Sequence, residues 1–225
     1  MSDLSNPFQK YGFIAIEGSI GSGKTTLSKM LSDQFPSTLI LEQFTDNPFL
    51  PFFYQQPERY AFPVELFFMT ERHKQLQEHF AKPNLFTSAT VADYFFLKTL
   101  LFAKNNLNEA EFRLFQRLFG VLNSSFPKPD LLLYLHRPVD VLLAQIKTRG
   151  REMEQNISGS YLEEIQDAYL DFFRTEKELP ILVLELGATD FLRYPTAFQA
   201  ILDIASQEYL PGVHYKRLDG HLFSE

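Results

Sequence analysis

Short continuous apolar runs alternate along this chain with longer stretches in which apolar residues recur every three or four positions. The first run, Phe13-Ile14-Ala15-Ile16, lies between Gly12 and Glu17 and ends at a glycine-rich stretch. A short apolar run bounded by turn residues is the pattern of a strand buried on both faces. Leu27, Met30, Leu31 and Phe35 then follow at helical spacing after Thr25, and Pro36 stops them. Further strands are predicted at Thr38–Leu41, Thr87–Ala92, Leu131–Leu135 and Ile181–Leu184. Helices are predicted at Val64–Phe80, Asn106–Leu122, Val139–Thr148 and Tyr161–Phe173, with Pro57, Pro63, Pro83, Pro127 and Pro129 as punctuation. Five strands joined by helical crossovers predict a five-stranded parallel α/β sheet flanked by helices.

No repeat, low-complexity tract or linker divides the 225 residues, so one domain over 1–225 is expected. The stretch 147–160, Lys-Thr-Arg-Gly-Arg-Glu-Met-Glu-Gln-Asn-Ile-Ser-Gly-Ser, is polar and glycine-containing, which suits a mobile covering lid between two helices. The tail after Pro211 has no readable pattern.

Composition narrows the function more than the fold. The chain has 24 Phe and 10 Tyr but no Trp and no Cys, which removes disulfides, thiolate nucleophiles and cysteine-based metal sites. The formal net charge is −7, against a general surface for a nucleic-acid polymer or an anionic membrane. Any polyanion must be held locally. The polar start and the lack of a bilayer-length apolar run make a soluble, cytoplasmic protein the expectation.

A local polyanion site is present in the sequence. Gly18-Ser-Ile-Gly-Ser-Gly-Lys-Thr matches G-x-x-x-x-G-K-[ST] and falls between a predicted buried strand and a helix. In a P-loop of this kind glycines let backbone N–H groups turn inward on phosphates, and the helix N-terminus adds a positive dipole end. Gly18, Ser19, Gly21, Ser22, Gly23, Lys24, Thr25 and Thr26 are thus expected to hold ATP. Lys24 would bridge the terminal phosphates and Thr25 would offer its hydroxyl to Mg²⁺. The absence of an Asn-Lys-x-Asp sequence argues against a GTPase, and a small-molecule kinase is the leading class. Glu42, at the end of the second strand, stands where ligands of open α/β sheets bind. A carboxylate there can take the proton of an attacking hydroxyl, although position alone fits a solvated strand end equally well.

Several separated motifs then resemble the deoxynucleoside kinase family, in its bacterial deoxyadenosine, deoxyguanosine or deoxycytidine kinase-like form. They are Glu17 to Thr26, Glu42 with Asn47-Pro-Phe-Leu50, Phe53 to Phe62, Arg72, and Arg149-Gly-Arg-Glu-Met-Glu154 with Tyr161-Leu162. The resemblance implies a P-loop NTPase of thymidylate-kinase-like fold, forming a homodimer. It implies phosphorylation of the 5′-hydroxyl of a deoxyribonucleoside by ATP with Mg²⁺. Glu42 resembles the family's catalytic base, and Tyr54 with Glu154 the pair that holds the sugar 3′-hydroxyl. Arg72, seven residues after Glu65, matches a spacing that in the family joins an Arg to a base-reading Gln, and Arg149 with Arg151 matches the lid arginines that clamp phosphates.

Two departures shape the expectation. Glu65 stands where the family usually has Gln, so an ionised side chain here offers two acceptors and no donor. That pattern suits the adjacent N1 and N2 donors of guanine, favouring a purine, with adenine open if Glu65 is protonated in a dry pocket. Asp93-Tyr94-Phe95 replaces an Asp/Glu-Arg-Ser motif, keeping the acid that orients Mg²⁺ but losing the Arg. Lys98 matches that Arg in charge without its bidentate fork; Asp93 alone also fits a structural cap.

Other residues offer less. His73, His79, His136, His214 and His221 lack ligand spacing, and Ser88, Ser124 and Ser125 lack a companion base. The aromatics from Phe44 to Phe68 are expected mainly in the core, with Phe62 and Phe96 as candidate rings against a base. The rival readings are a nucleoside monophosphate kinase, which needs extra basic residues around the acceptor, and a degenerate nucleotide-binding module.

Overall fold

The computed structural model describes residues 4–43, 47–81, 89–123 and 126–218. Phe44, Pro83, Thr87, Ser88, Ser124, Ser125 and His221 lie outside the described residues.

Six parallel strands form one sheet, β1 (Phe13–Glu17), β2 (Thr38–Ile40), β3 (Thr90–Ala92), β4 (Leu131–His136), β5 (Pro180–Glu185) and β6 (Gly212–Arg217), in the order β2-β3-β1-β4-β5-β6. The apolar run of β1 is central: Ile14 lies opposite Val91 of β3 on one side and Leu131 of β4 on the other. Its pleat sends Phe13 and Ala15 into one core layer and Ile14 and Ile16 into the other. The helices are α1 (Lys24–Gln34), α2 (Leu50–Phe53), α3 (Pro57–Ala81), α4 (Lys98–Asn106), α5 (Glu109–Asn123), α6 (Val139–Arg149), α7 (Gly159–Thr175) and α8 (Pro195–Ala205). Chain order reverses across β1, so the ends of β1 and β3 open the crevice in which such sheets bind ligands.

Four expectations need correction. The sheet has six strands, not five. β6 is an edge strand, Gly-Val-His-Tyr-Lys-Arg, half-buried to exposed, so it carries no apolar run to read. Pro63 does not break the chain but lies inside α3, where the missing N–H costs one bond to the Arg59 carbonyl and the helix runs on. Nor does residue 106 start a helix: it ends α4, a helix absent from the pattern reading, as is α8. The stretch 147–160 is not loop throughout. It holds the last turn of α6, Gly150 as its left-handed cap at φ +72°, a 3-10 turn at Glu152–Glu154 and the start of α7.

Candidate active site

The P-loop follows β1 and opens α1, with Gly18, Gly21 and Gly23 all at positive φ. Gly18 shows why the position needs glycine: a Cβ there would sit 2.6 Å from Ser22 Oγ and 2.7 Å from the Leu135 carbonyl oxygen. Lys24 leans back over the loop, its Nζ donating to the carbonyls of Gly18 at 2.8 Å and Ser19 at 3.0 Å. Burial, with Lys98 nearby, brings the Lys24 ammonium down to about 8. Behind the loop stands Arg137, which the sequence reading missed. Its Nε donates to Ser22 O at 3.1 Å, and its other nitrogens donate to the carbonyls of Gly187 and Thr189, both at 2.8 Å. The guanidinium thereby ties the P-loop to the segment after β5. An Arg directly after an apolar strand is the only trace of it in the sequence.

Asp93 follows β3 and joins the two strand ends beside the loop. Its Oδ2 accepts from Thr25 Oγ1 at 2.5 Å and its Oδ1 from the Glu42 backbone N–H at 2.6 Å. Thr25 and Asp93 also fit a magnesium ion by donor type, since Mg²⁺ takes hard oxygen ligands and these two present a hydroxyl and a carboxylate side by side.

Glu42 is gripped by two cations. Arg72 Nε donates to its Oε1 at 2.8 Å and Arg72 Nη2 donates to the same oxygen, while Lys98 Nζ donates to Oε2 at 2.8 Å. Burial alone would raise the Glu42 carboxyl, but Arg72 and Lys98 outweigh it and hold the group well below the usual carboxylate range. Arg72 is itself positioned by Thr99 Oγ1, at 2.8 Å from Nη1, and by the face of Phe68, 4.9 Å from its Cζ. So Lys98 places its charge against Glu42, and Arg72 turns to Glu42 rather than to Glu65. Beneath them Glu17 is fully buried, accepting from the Phe95 N–H at 2.6 Å and the Tyr169 hydroxyl at 2.7 Å. Burial raises its carboxyl against the pull of Lys98 and Lys24.

One cavity of about 280 Å³ joins these groups. Gly21, Lys24, Thr25, Glu42, Tyr54, Glu65, Arg72, Asp93, Arg149, Arg151 and Glu154 all line it, whereas Gly18, Ser19, Ser22, Gly23 and Thr26 of the P-loop do not. Glu65 is almost fully buried, with Oε1 accepting from Asn106 Nδ2 at 2.6 Å and Oε2 without a hydrogen-bond partner among the described residues. Burial pushes its carboxyl up to about 7 against Asn106 and Arg72. Glu154 is paired with two arginines, accepting from Arg149 Nη2 and, at 3.1 Å, from Arg151 Nη1. Burial and the nearby Glu154 carboxylate keep the Tyr54 phenol protonated. The candidate stacking rings are corrected here. Phe96 is buried in the core, stacked on Phe119 at 5.2 Å, and neither it nor Phe62 lines the cavity; Phe53, Phe68, Phe102 and Tyr161 do.

Against known proteins, the deoxynucleoside kinase profile matches residues 14–209. The deoxyguanosine kinase of Bacillus subtilis (strain 168) is 35% identical over 196 residues, covering 84% of this chain and 93% of that protein. The deoxyadenosine/deoxycytidine kinase of the same organism is 30% identical over 198 residues, 86% of this chain and 91% of that protein. In fold, a deoxyadenosine kinase from M. mycoides solved with bound dATP superposes with a TM-score of 0.72 at 24% identity, over 87% of this chain and all of that one. With this match along most of its length, the chain belongs to the deoxynucleoside kinase family.

Proposed function

We propose that this kinase transfers the γ-phosphoryl group of ATP to the 5′-hydroxyl of a purine deoxynucleoside, with deoxyguanosine preferred. The observation that carries the reading is the single cavity joining the P-loop to Glu42 and Glu65. Its volume of about 280 Å³ lies just below the range of ligand pockets, which starts at about 300 Å³.

Chemistry follows from the positions. Backbone amides of the P-loop and Lys24 hold the phosphates, and Lys24 leaves its two carbonyl partners to do so. Glu42, kept ionised by Arg72 and Lys98, accepts the 5′-hydroxyl proton as the oxygen attacks the γ-phosphorus and ADP leaves. Phosphoryl transfer passes through a loose transition state, so a weak base held in place suffices, and positioning dominates. Thr25 and Asp93 would hold magnesium, which when bound would supply charge neutralisation on the phosphates. Tyr54 and Glu154 bond the sugar 3′-hydroxyl; a substrate lacking that group leaves them unpaired. Once Glu154 takes a sugar hydroxyl, Arg149 and Arg151 are released toward the phosphates as the segment 147–160 closes.

Base preference rests on Glu65. An ionised Glu65 meets the N1 and N2 donors of guanine and repels the N1 acceptor of adenine. Similarity to a relative named deoxyguanosine kinase supports this choice. We also place the kinase in the cytoplasm, where ATP is at hand; no helix among the described residues is long and apolar enough to cross a membrane. We further propose a homodimer formed through α5, whose exposed face carries Leu114, Leu118 and Val121 in one stripe.

Product analysis after incubation with Mg-ATP and each of the four deoxynucleosides or their monophosphates tests the proposal. Deoxyguanosine monophosphate is expected as the main product. Phosphorylation of monophosphates only, or of no substrate, sinks it.

A further inference from the structure

We infer that Asn106 is a specificity-determining residue, whose side-chain amide fixes Glu65 as an acceptor and the Tyr161 hydroxyl as a donor, a pattern that guanine matches and adenine opposes. The inference rests on the proposed reading of Glu65 as the residue facing the base.

Asn106 is the last residue of α4 and bridges two walls of the cavity. Its Nδ2 carries two hydrogens. One goes to Glu65 Oε1 at 2.6 Å and the other to the Tyr161 phenolic oxygen at 3.3 Å. Its Oδ1 accepts from Asn105 Nδ2 at 3.2 Å. Two carboxylates set which way round the amides lie: a flipped Asn106 would turn its oxygen on Glu65 and its nitrogen on Asn105 Nδ2, which is itself turned to Glu164 Oε2 at 3.5 Å.

Two consequences follow from that orientation. Asn106 uses one lone pair of Oε1, so Glu65 keeps Oε2, buried and without a partner among the described residues, as an acceptor. The Tyr161 oxygen accepts from Asn106, so its own hydrogen is left to donate elsewhere, and both side chains line the same cavity. Guanine offers the O6 acceptor beside the N1–H and N2–H donors. Adenine reverses that order with an N6 donor beside the N1 acceptor. A carboxylate and a hydroxyl held in these roles leave adenine with unpaired buried partners, the situation in which polar sites discriminate most strongly.

Glu65 must be ionised for the pattern to hold. Asn106 supports the charged form from α4, as do Lys98 on the same helix and Arg72 on α3, while burial and Glu42 oppose it. The remaining groups that face it are the Tyr54 and Tyr161 phenols, both kept protonated mainly by burial and in part by this carboxylate. The balance lies at about 7. A lost hydrogen bond to a charged group, about 1.5 kcal/mol or more, moves such a balance upward by on the order of one pH unit.

The test compares kcat/KM for deoxyguanosine and deoxyadenosine across the neutral range in the unaltered protein, Asn106→Ala and Glu65→Gln, with Asn106→Ser standing in if the alanine variant does not fold. In the unaltered protein the deoxyguanosine preference is expected to rise with pH through about 7. In Asn106→Ala it is expected to fall about tenfold at neutral pH, and its rise to move upward by on the order of one unit. In Glu65→Gln it is expected to fall and lose its pH dependence. If Glu65→Gln behaves so while Asn106→Ala keeps both the preference and its inflection, the role of Asn106 is overturned. A fall in preference with an unmoved inflection overturns it as well, since that is what a merely steric role gives. If Glu65→Gln keeps the unaltered preference, the reading of Glu65 fails, and this inference with it.

Discussion

At the scale of single residues, the site holds a half-buried carboxylate between two buried cations. Glu42 has the Arg72 fork on one oxygen and the Lys98 ammonium on the other. Lys98 is almost fully buried, so removing it leaves the Arg72 contact but takes away one of two charges that keep Glu42, the proposed base, ionised. Lys98→Met is expected to lower kcat about 10-fold or more, from the loss of a hydrogen bond between charged groups. Glu42 sits below its ordinary range, so losing a cation moves it upward, and the acid limb of the kcat profile moves to higher pH. A pH–rate profile checks this; an unmoved acid limb removes Lys98 from the account. The charge of Lys98 was legible in the sequence, four residues after Tyr94, where the resembled motif has its Arg, but its partner was not. Arg72 illustrates the reason. Seven residues place it on the same face of α3 as Glu65, yet a long side chain reaches past its helical neighbour to Glu42. Asn106 gave no signal at all, since an Asn ending a helix is commonplace.

At the scale of elements, motifs and apolar runs were legible where local physics decides. The P-loop needs glycine at positive φ in a crowded place, so its pattern is written directly in residue type. The buried strands read as apolar runs because both faces are covered. β6 escaped because an edge strand needs no such run, and α3 extended through Pro63 because tertiary packing outweighed one lost hydrogen bond. α5 carries the opposite kind of excess. Phe115 and Phe119 already bury one face, so Leu114, Leu118 and Val121 form a second apolar face toward solvent. Leu118→Glu is expected to convert the proposed homodimer to monomers in sedimentation analysis with little change in helix content. A dimer that persists in this variant places the contact elsewhere.

At the scale of the molecule, the chain is acidic, with a net charge of −7, yet it meets the most highly charged ligand it is proposed to bind at a cluster whose charges nearly cancel. Glu17, Glu42 and Asp93 stand against Lys24, Arg72 and Lys98 around the ends of β1, β2 and β3. The parallel sheet brings these strand ends to one crevice, where the P-loop, Glu42 and Glu65 share a cavity. This convergence is a property of topology, and the sequence carried it only as the order of strands and helices. The direct test of the account is the kinetics of Glu42→Gln with deoxyguanosine and Mg-ATP, since the substitution keeps shape and removes the proton acceptor. The account predicts a KM within a few-fold of the unaltered protein and a kcat reduced by about 10² or more. A kcat close to that of the unaltered protein would contradict it.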